Sequence, residues 1–182
     1  SNAQEINFEA ENIETVDDNI ISATNKVIIT DTDGVKIFSD KLLIDKEKKI
    51  FTISDNVLYE DNKNLLKIKT DKINYNQTEN IIYTSGITII EHNNKFFLEG
   101  KNIVFNKQEK KIFSDHKASI KDKFNNKINI KNFNISLIDK LLKTNQAKLI
   151  DKDLNIYEID KMYYDYNLEM IVGKDIEVNI DN

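Results

Sequence analysis

The chain has 182 residues, 40% apolar and 31% charged, with a formal net charge of −5 at pH 7. It contains no Cys, no Pro and no Trp, only 4 Gly, and its 26 basic residues are all Lys. That composition excludes a disulfide scaffold, a thiol nucleophile and a Cys-ligated metal, and the acidic balance with interspersed charges opposes a nucleic-acid partner. One domain is the default at this length. Ser1, Asn2 and Ala3 read as the remnant of a cleaved expression tag, which leaves residues 4–182 as that single domain. No apolar run is long enough to span a membrane as a helix.

Six segments align in chain order: Phe8–Ile13, Ile37–Leu42, Ile68–Ile73, Leu98–Ile103, Ile128–Phe133 and Tyr157–Met162. Their fourth residues are Glu11, Asp40, Asp71, Lys101, Lys131 and Asp160, spaced 29 to 31 residues apart. A period this regular over nearly the whole chain marks a repeat architecture. Each unit reads as two strands. The first alternates, slips by one residue and alternates again, as in Ile68-x-Thr70 followed by Ile73-x-Tyr75. Such a slip keeps the apolar side chains on one face only if a bulge or bend absorbs it.

A polar turn follows, such as Asp45–Lys49, Asn76–Asn80 or Asn106–Lys111. The second strand opens on an apolar pair such as Ile20-Ile21, Ile50-Phe51, Ile81-Ile82 or Ile112-Phe113. It ends in alternation: Val27-x-Ile29, Val57-x-Tyr59, Ile87-x-Ile89, Ala118-x-Ile120 and Ile176-x-Val178. A second turn closes the unit, as at Asp31–Gly34 or Asp122–Asn126. Ile, Val, Tyr, Phe and Thr fill the alternating positions, as strands favour, and Asn and Asp supply the turns. Leu137–Ile150 has apolar residues that also fit an amphipathic helix, but the repeat register puts a turn near Asp139-Lys140 and a strand through Ala147-x-Leu149. The expectation is all-β. Charged turns of variable length favour an elongated, half-open antiparallel roll over a parallel β-helix.

Catalytic material is sparse. His92 and His116 have no metal-ligating spacing and read as solvated turn histidines. Asp31-Thr-Asp-Gly34 lacks the later ligands of an EF-hand and reads as a hairpin turn. The acids Glu11, Asp40, Asp71 and Asp160 share one register and could form a carboxylate row for glycoside chemistry. Lys101 and Lys131 in the same register point instead to a bend position that tolerates any polar residue. What remains is an inward apolar strip, which is a packed core if the roll closes and a groove for acyl chains if it stays open. Each buried CH₂ would then contribute about 0.8 kcal/mol.

The units Phe8-Glu-Ala-Glu-Asn-Ile13 … Ile20–Ile28, and Ser39–Leu42 … Thr70–Tyr75 … Tyr83–Ile89, resemble the OstA repeats of the lipopolysaccharide transport proteins. The resemblance runs from Phe8 to about Asn179 and is weakest over Lys131–Asn145 and Asp160–Gly173. It implies a twisted β-jellyroll of about six two-strand repeats, half-open along one seam, without enzyme activity, cofactor or metal. Within the family it points to the periplasmic N-terminal domain of the outer-membrane assembly protein, because Ile171–Val178 looks like the stretch leading to that protein's barrel. A stand-alone periplasmic bridge protein is the alternative, and a ligand-free structural β-solenoid is the alternative of another class.

The implied partners are lipopolysaccharide, held by its lipid A acyl chains, other Lpt jellyroll proteins joined by edge-strand addition, and a C-terminal outer-membrane barrel; nucleic acid is not among them. Docking edges are then expected around Phe8–Ile29 and Tyr157–Val178. Alternation nominates Ile37, Ile44, Ile68, Ile73, Tyr75, Leu98, Ile103, Phe105, Phe133, Ile135 and Tyr164 as interior lipid contacts.

Overall fold

Alternation of β-branched and aromatic residues with polar ones builds strands throughout. The computed structural model describes residues 5–179, in which there are seventeen strands and every pairing is antiparallel. Ser1–Ala3 lie outside the described residues. β1 (Ile6–Glu9) and β2 (Asn12–Thr15) are the halves of a first rung. β3 (Ile20–Asp31), β4 (Lys36–Asp45), β5 (Ile50–Asp61) and β6 (Leu66–Asn76) are full rungs bent in the middle. The next four rungs are split at the bend. They are β7 (Ile81–Ser85) with β8 (Ile87–His92), β9 (Phe96–Lys101) with β10 (Val104–Asn106), β11 (Lys111–Ser114) with β12 (Ala118–Asp122), and β13 (Lys127–Ile130) with β14 (Phe133–Ser136). β15 (Leu141–Ile150), β16 (Ile156–Asp165) and β17 (Met170–Asn179) complete the stack.

Each rung pairs with the ones before and after it, so Leu42 stands opposite both Ala23 and Ile53. The bends divide the stack into two arms. The first arm contains β1, β8, β9, β12, β13 and the corresponding halves of the longer strands; the second contains β2, β7, β10, β11, β14 and the other halves. Hairpin turns fall alternately at the tips of the two arms, as at residues 31–35 and 45–49. Residues 137–140 form a turn and β15 runs through Ala147 and Leu149, so this stretch is strand and not helix.

The bends explain the phase slip. Successive inward residues are Ala23 and Val27 in β3, Ser39 and Leu42 in β4, Ile53 and Val57 in β5, and Thr70 and Ile73 in β6. The wider step places two left-handed residues at the bulge, Asn25 (φ 65°) with Lys26 (φ 50°), then Asp55 (φ 65°) with Asn56 (φ 55°). Asn and Asp enter that region more readily than most side chains. Wide and narrow steps alternate as far as β14. In β15 the step from Thr144 to Ala147 is narrow where a wide one is due, and this is where the sequence repeat fades.

One alternation was misleading. Ile87 is exposed and Ile89 half-buried, while Thr88 and Ile90 face inward and are fully buried. Gly86 (φ 80°) turns the strand, and the Thr88 hydroxyl is needed inside, where it bonds Thr84 Oγ1 at 2.9 Å and approaches Thr70 Oγ1 at 2.9 Å. Thr84 Oγ1 also accepts the Ile103 amide at 3.0 Å. Buried hydroxyls thus satisfy one another and the backbone where the ladder breaks.

Candidate functional site: the interior between the arms

All eleven nominated residues face the space between the arms, and all are buried, from Ile73 and Leu98 at 0% exposure to Ile37 at 7%. Ile37, Ile68 and Leu98 belong to the first arm; Ile44, Ile73, Tyr75, Ile103, Phe105, Phe133, Ile135 and Tyr164 lie at the bend or on the second. First-arm residues that complete the surface, among them Ile29, Tyr59, Phe96 and Ile120, were legible in the same alternation but were not nominated, and Ile90 joins them against the misleading Ile87-x-Ile89 pattern. The interior is a filled core. A cavity of ≈ 20 Å³ between Ile6, Ile29 and Ile37 of the first arm and Phe51, Tyr75 and Ile82 of the second has room for about one water.

The arms face each other with an offset along the stack. Tyr59 in β5 meets Phe105 in β10 edge-on at 6.0 Å between ring centroids, and Phe96 in β9 meets Tyr164 at 6.0 Å and Tyr166 at 5.4 Å. The offset leaves part of each end without a facing arm. Ile13 and Val16 at the first end are 53% and 63% exposed, and Ile176 and Val178 at the other are 52% and 48% exposed. Among the described residues, ladder pairing for β2 is to β3 alone, and for β17 to β16 alone, so each end presents an unpaired strand edge.

Opposite the bend, the tips are joined by side chains; no strand pairing connects them among the described residues. Lys107 Nζ lies 2.9 Å from Asp31 Oδ2, with side-chain exposures of only 11% and 8%. Asp31 Oδ1 meanwhile accepts the amides of Asp33 and Val35. Further along, Glu169 receives Lys123 at 2.8 Å and Lys95 at 3.3 Å. The Lys123 and Lys95 hydrogen bonds hold the Glu169 carboxyl below its ordinary range. Tyr166 donates to the Ser136 carbonyl of its own arm at 2.9 Å, which holds its ring against Phe96 of the first.

His92 is half-buried, not solvated as its turn position suggested. Its ring packs 4.6 Å from Tyr166 and 5.6 Å from Phe96, a tertiary contact that local sequence does not reveal. Burial first, and then the charges of Lys95 and Lys140, lower its pKa. Burial, aided by Asp31, raises the Tyr75 hydroxyl to about 12, and burial with Asp122 and Glu169 raises Tyr164 to about 12. Tyr59 is pushed well up by burial, and its hydroxyl has no hydrogen-bond partner among the described residues. The interior therefore carries phenols, Ser and Thr hydroxyls and hydrocarbon.

The repeated acids lie elsewhere. Glu11, Asp40, Asp71 and Asp160 are exposed on the outside of the bend, in one row with Lys101 and Lys131. Glu11 pairs with Lys26 at 2.7 Å, and Asp40 accepts from Asn56 Nδ2 at 2.7 Å. They are bend residues; Asp160 also borders an open groove of ≈ 660 Å³ with Glu158, Asp175 and Glu177 on β16 and β17. His116 is exposed at the break between β11 and β12, and Asp31–Gly34 is a hairpin turn.

A roll of antiparallel rungs with a packed apolar interior and an unpaired strand edge at each end of the described residues defines the class, and sequence comparison agrees. The family described as "OstA-like protein" matches residues 11–138, more than half of the chain, and the chain belongs to that family. No curated protein matches it. Among solved structures, LptH from Pseudomonas aeruginosa aligns over 98% of this chain and 96% of its own, at 14% identity and a TM-score of 0.28. That protein is described as the LptA-homologous periplasmic component of the lipopolysaccharide transport device.

Proposed function

We propose that this chain carries lipopolysaccharide in the periplasm, shields the lipid A acyl chains between its two arms, and passes the lipid toward the outer membrane. The observation that carries the reading is the seam: an apolar interior whose arms are joined, opposite the bend, by side chains alone among the described residues. The arms can part there without losing backbone ladder bonds. The finer assignment is the N-terminal domain of LptD, with a stand-alone LptA-type bridge as the alternative. Ile171–Val178, the stretch that suggested LptD, lies within β17, and under this reading that free edge and the β1–β2 edge accept strands of other Lpt jellyroll proteins. A barrel of its own would follow β17, and the chain would then be attached to the outer membrane.

Ile37, Ile44, Ile68, Ile73, Tyr75, Leu98, Ile103, Phe105, Phe133, Ile135 and Tyr164 are proposed as acyl-chain contacts once the arms separate. A photocrosslinking residue at Tyr75 or Phe105 is expected to capture lipopolysaccharide. Adducts confined to an outward position such as Lys72 would overturn the groove. The packing of the interior favours one other reading, a ligand-free structural scaffold. Absence of adducts at every interior position, with no lipid in native extracts, would establish the scaffold instead.

A further inference from the structure

The outer face of the first arm carries a feature that the interior does not use. Beside the bend, β9, β12, β13 and β15 form the floor of a groove of ≈ 880 Å³. Five lysines line it, Lys101, Lys117, Lys127, Lys131 and Lys148, against one acid, Glu99. All five are exposed, and none takes part in the ion pairs of the described residues. In a chain of net charge −5, five lysines against one acid in one concavity are a local inversion of sign, with Lys148 at its margin standing opposite Glu158 of β16.

The chemistry of the occupant follows from what the groove offers. Three steps between neighbouring strands and four residues along β13 spread the charge over about 14 by 13 Å, wider than a single phosphate. Each floor strand is already paired on both sides, so no backbone edge is free to add a peptide strand. No aromatic ring lines the groove, which removes the stacking platform a nucleic acid requires. The remaining polar groups are Ser119, Asn129 and Gln146, suited to hydroxyls.

We infer that this groove binds a phosphorylated oligosaccharide, the sugar portion of the glycolipid. The inference rests on the lipopolysaccharide reading for the source of that saccharide. Its probe lacks acyl chains, so it tests the groove independently of the interior.

The full chain is titrated by calorimetry, at about 0.1 M salt, with the phosphorylated oligosaccharide left after complete deacylation of lipopolysaccharide. The triple variant Lys127→Gln, Lys131→Gln, Lys148→Gln is expected to bind about tenfold more weakly, and enzymatic dephosphorylation of the probe to weaken binding about as much. The control Lys46→Gln, Lys63→Gln, Lys72→Gln makes the same change in net charge elsewhere and is expected to stay within about twofold. Equal weakening in both triples, equal binding of the dephosphorylated probe, or no binding at all would overturn the inference. Equal binding of polyglutamate would overturn the saccharide assignment in favour of an acidic protein surface.

Discussion

Replacing Lys107 with Met strips the cation from a pair whose two side chains are only 11% and 8% exposed. Asp31 cannot then rotate into water, because its other oxygen holds the amides of Asp33 and Val35 at 2.9 and 3.0 Å in the β3–β4 turn. A buried, uncompensated carboxylate results, and we expect a cost of about 3 kcal/mol. For a chain of this size that corresponds to a fall of about 6–12 °C in Tm. Asp31→Asn keeps an acceptor for the turn amides but leaves the Lys107 ammonium against an amide, at about 2 kcal/mol. The double variant removes both charges, and a neutral Asn–Met contact should cost only about 1–2 kcal/mol, giving a coupling energy of about 3 kcal/mol. Urea unfolding of the four proteins measures this directly, provided the m-values agree. Additive single effects below about 0.5 kcal/mol each would refute the reasoning and make the pair an ordinary screened surface contact.

Tyr59 is fully buried with an unpartnered hydroxyl, so Tyr59→Phe is expected to stabilise the chain by about 1 kcal/mol; destabilisation of that size in urea melts would show that the hydroxyl is bonded after all. His92 has a folded pKa below that of the unfolded chain, so the unfolded state binds its proton first as pH falls. Its contribution is complete above about pH 6.5 and declines as the pH drops through the folded value, and His92→Phe should remove that acid-side slope from stability measured against pH. A Cβ on Gly173 would lie 2.6 Å from Ile159 Cγ2, so Gly173→Ala should destabilise the β16–β17 edge by about 1–3 kcal/mol, and with Ile159→Ala, which deletes that methyl, the double change should cost less in thermal melts than the sum of the two single changes.

The period in the sequence revealed the strands because each inward position repeats its neighbour's environment. The bend was legible for the same reason: a phase slip in a two-residue pattern has few structural solutions. Ile87-x-Ile89 misled because apolar alternation normally marks the inner face, and here a buried Thr88 hydroxyl completes the network at the bend. The seam was not legible at all. Asp31 and Lys107 are 76 positions apart, and Lys95 and Glu169 belong to turns whose own sequences are ordinary polar hairpins. Their meeting depends on how far the arms are offset along the stack, a property of accumulated sheet twist that no local pattern encodes. The same offset makes Ile13 and Ile176 exposed although their alternation matches that of the core.

The packed interior and the proposed lipid path are compatible only if opening has a preferred place. Separating the arms exposes apolar surface at about 25 cal/mol per Å², a cost that an entering acyl chain offsets by covering the same surface. The two ends of the seam are not equally tight. Near β16 three aromatic rings, His92 and the Glu169 pairs meet, whereas near β3 the Lys107–Asp31 pair, with Lys107 also 5.6 Å over the Tyr75 ring, stands beside the ≈ 20 Å³ cavity. That cavity interrupts the apolar packing at the β3 end, so the hypothesis is that the arms part there first. Crosslinking to lipopolysaccharide should then appear sooner from Tyr75 than from Tyr164, and Lys107→Met should speed the Tyr75 adduct without changing the other. Simultaneous capture at both positions would mean that the arms move apart as rigid bodies about the bend.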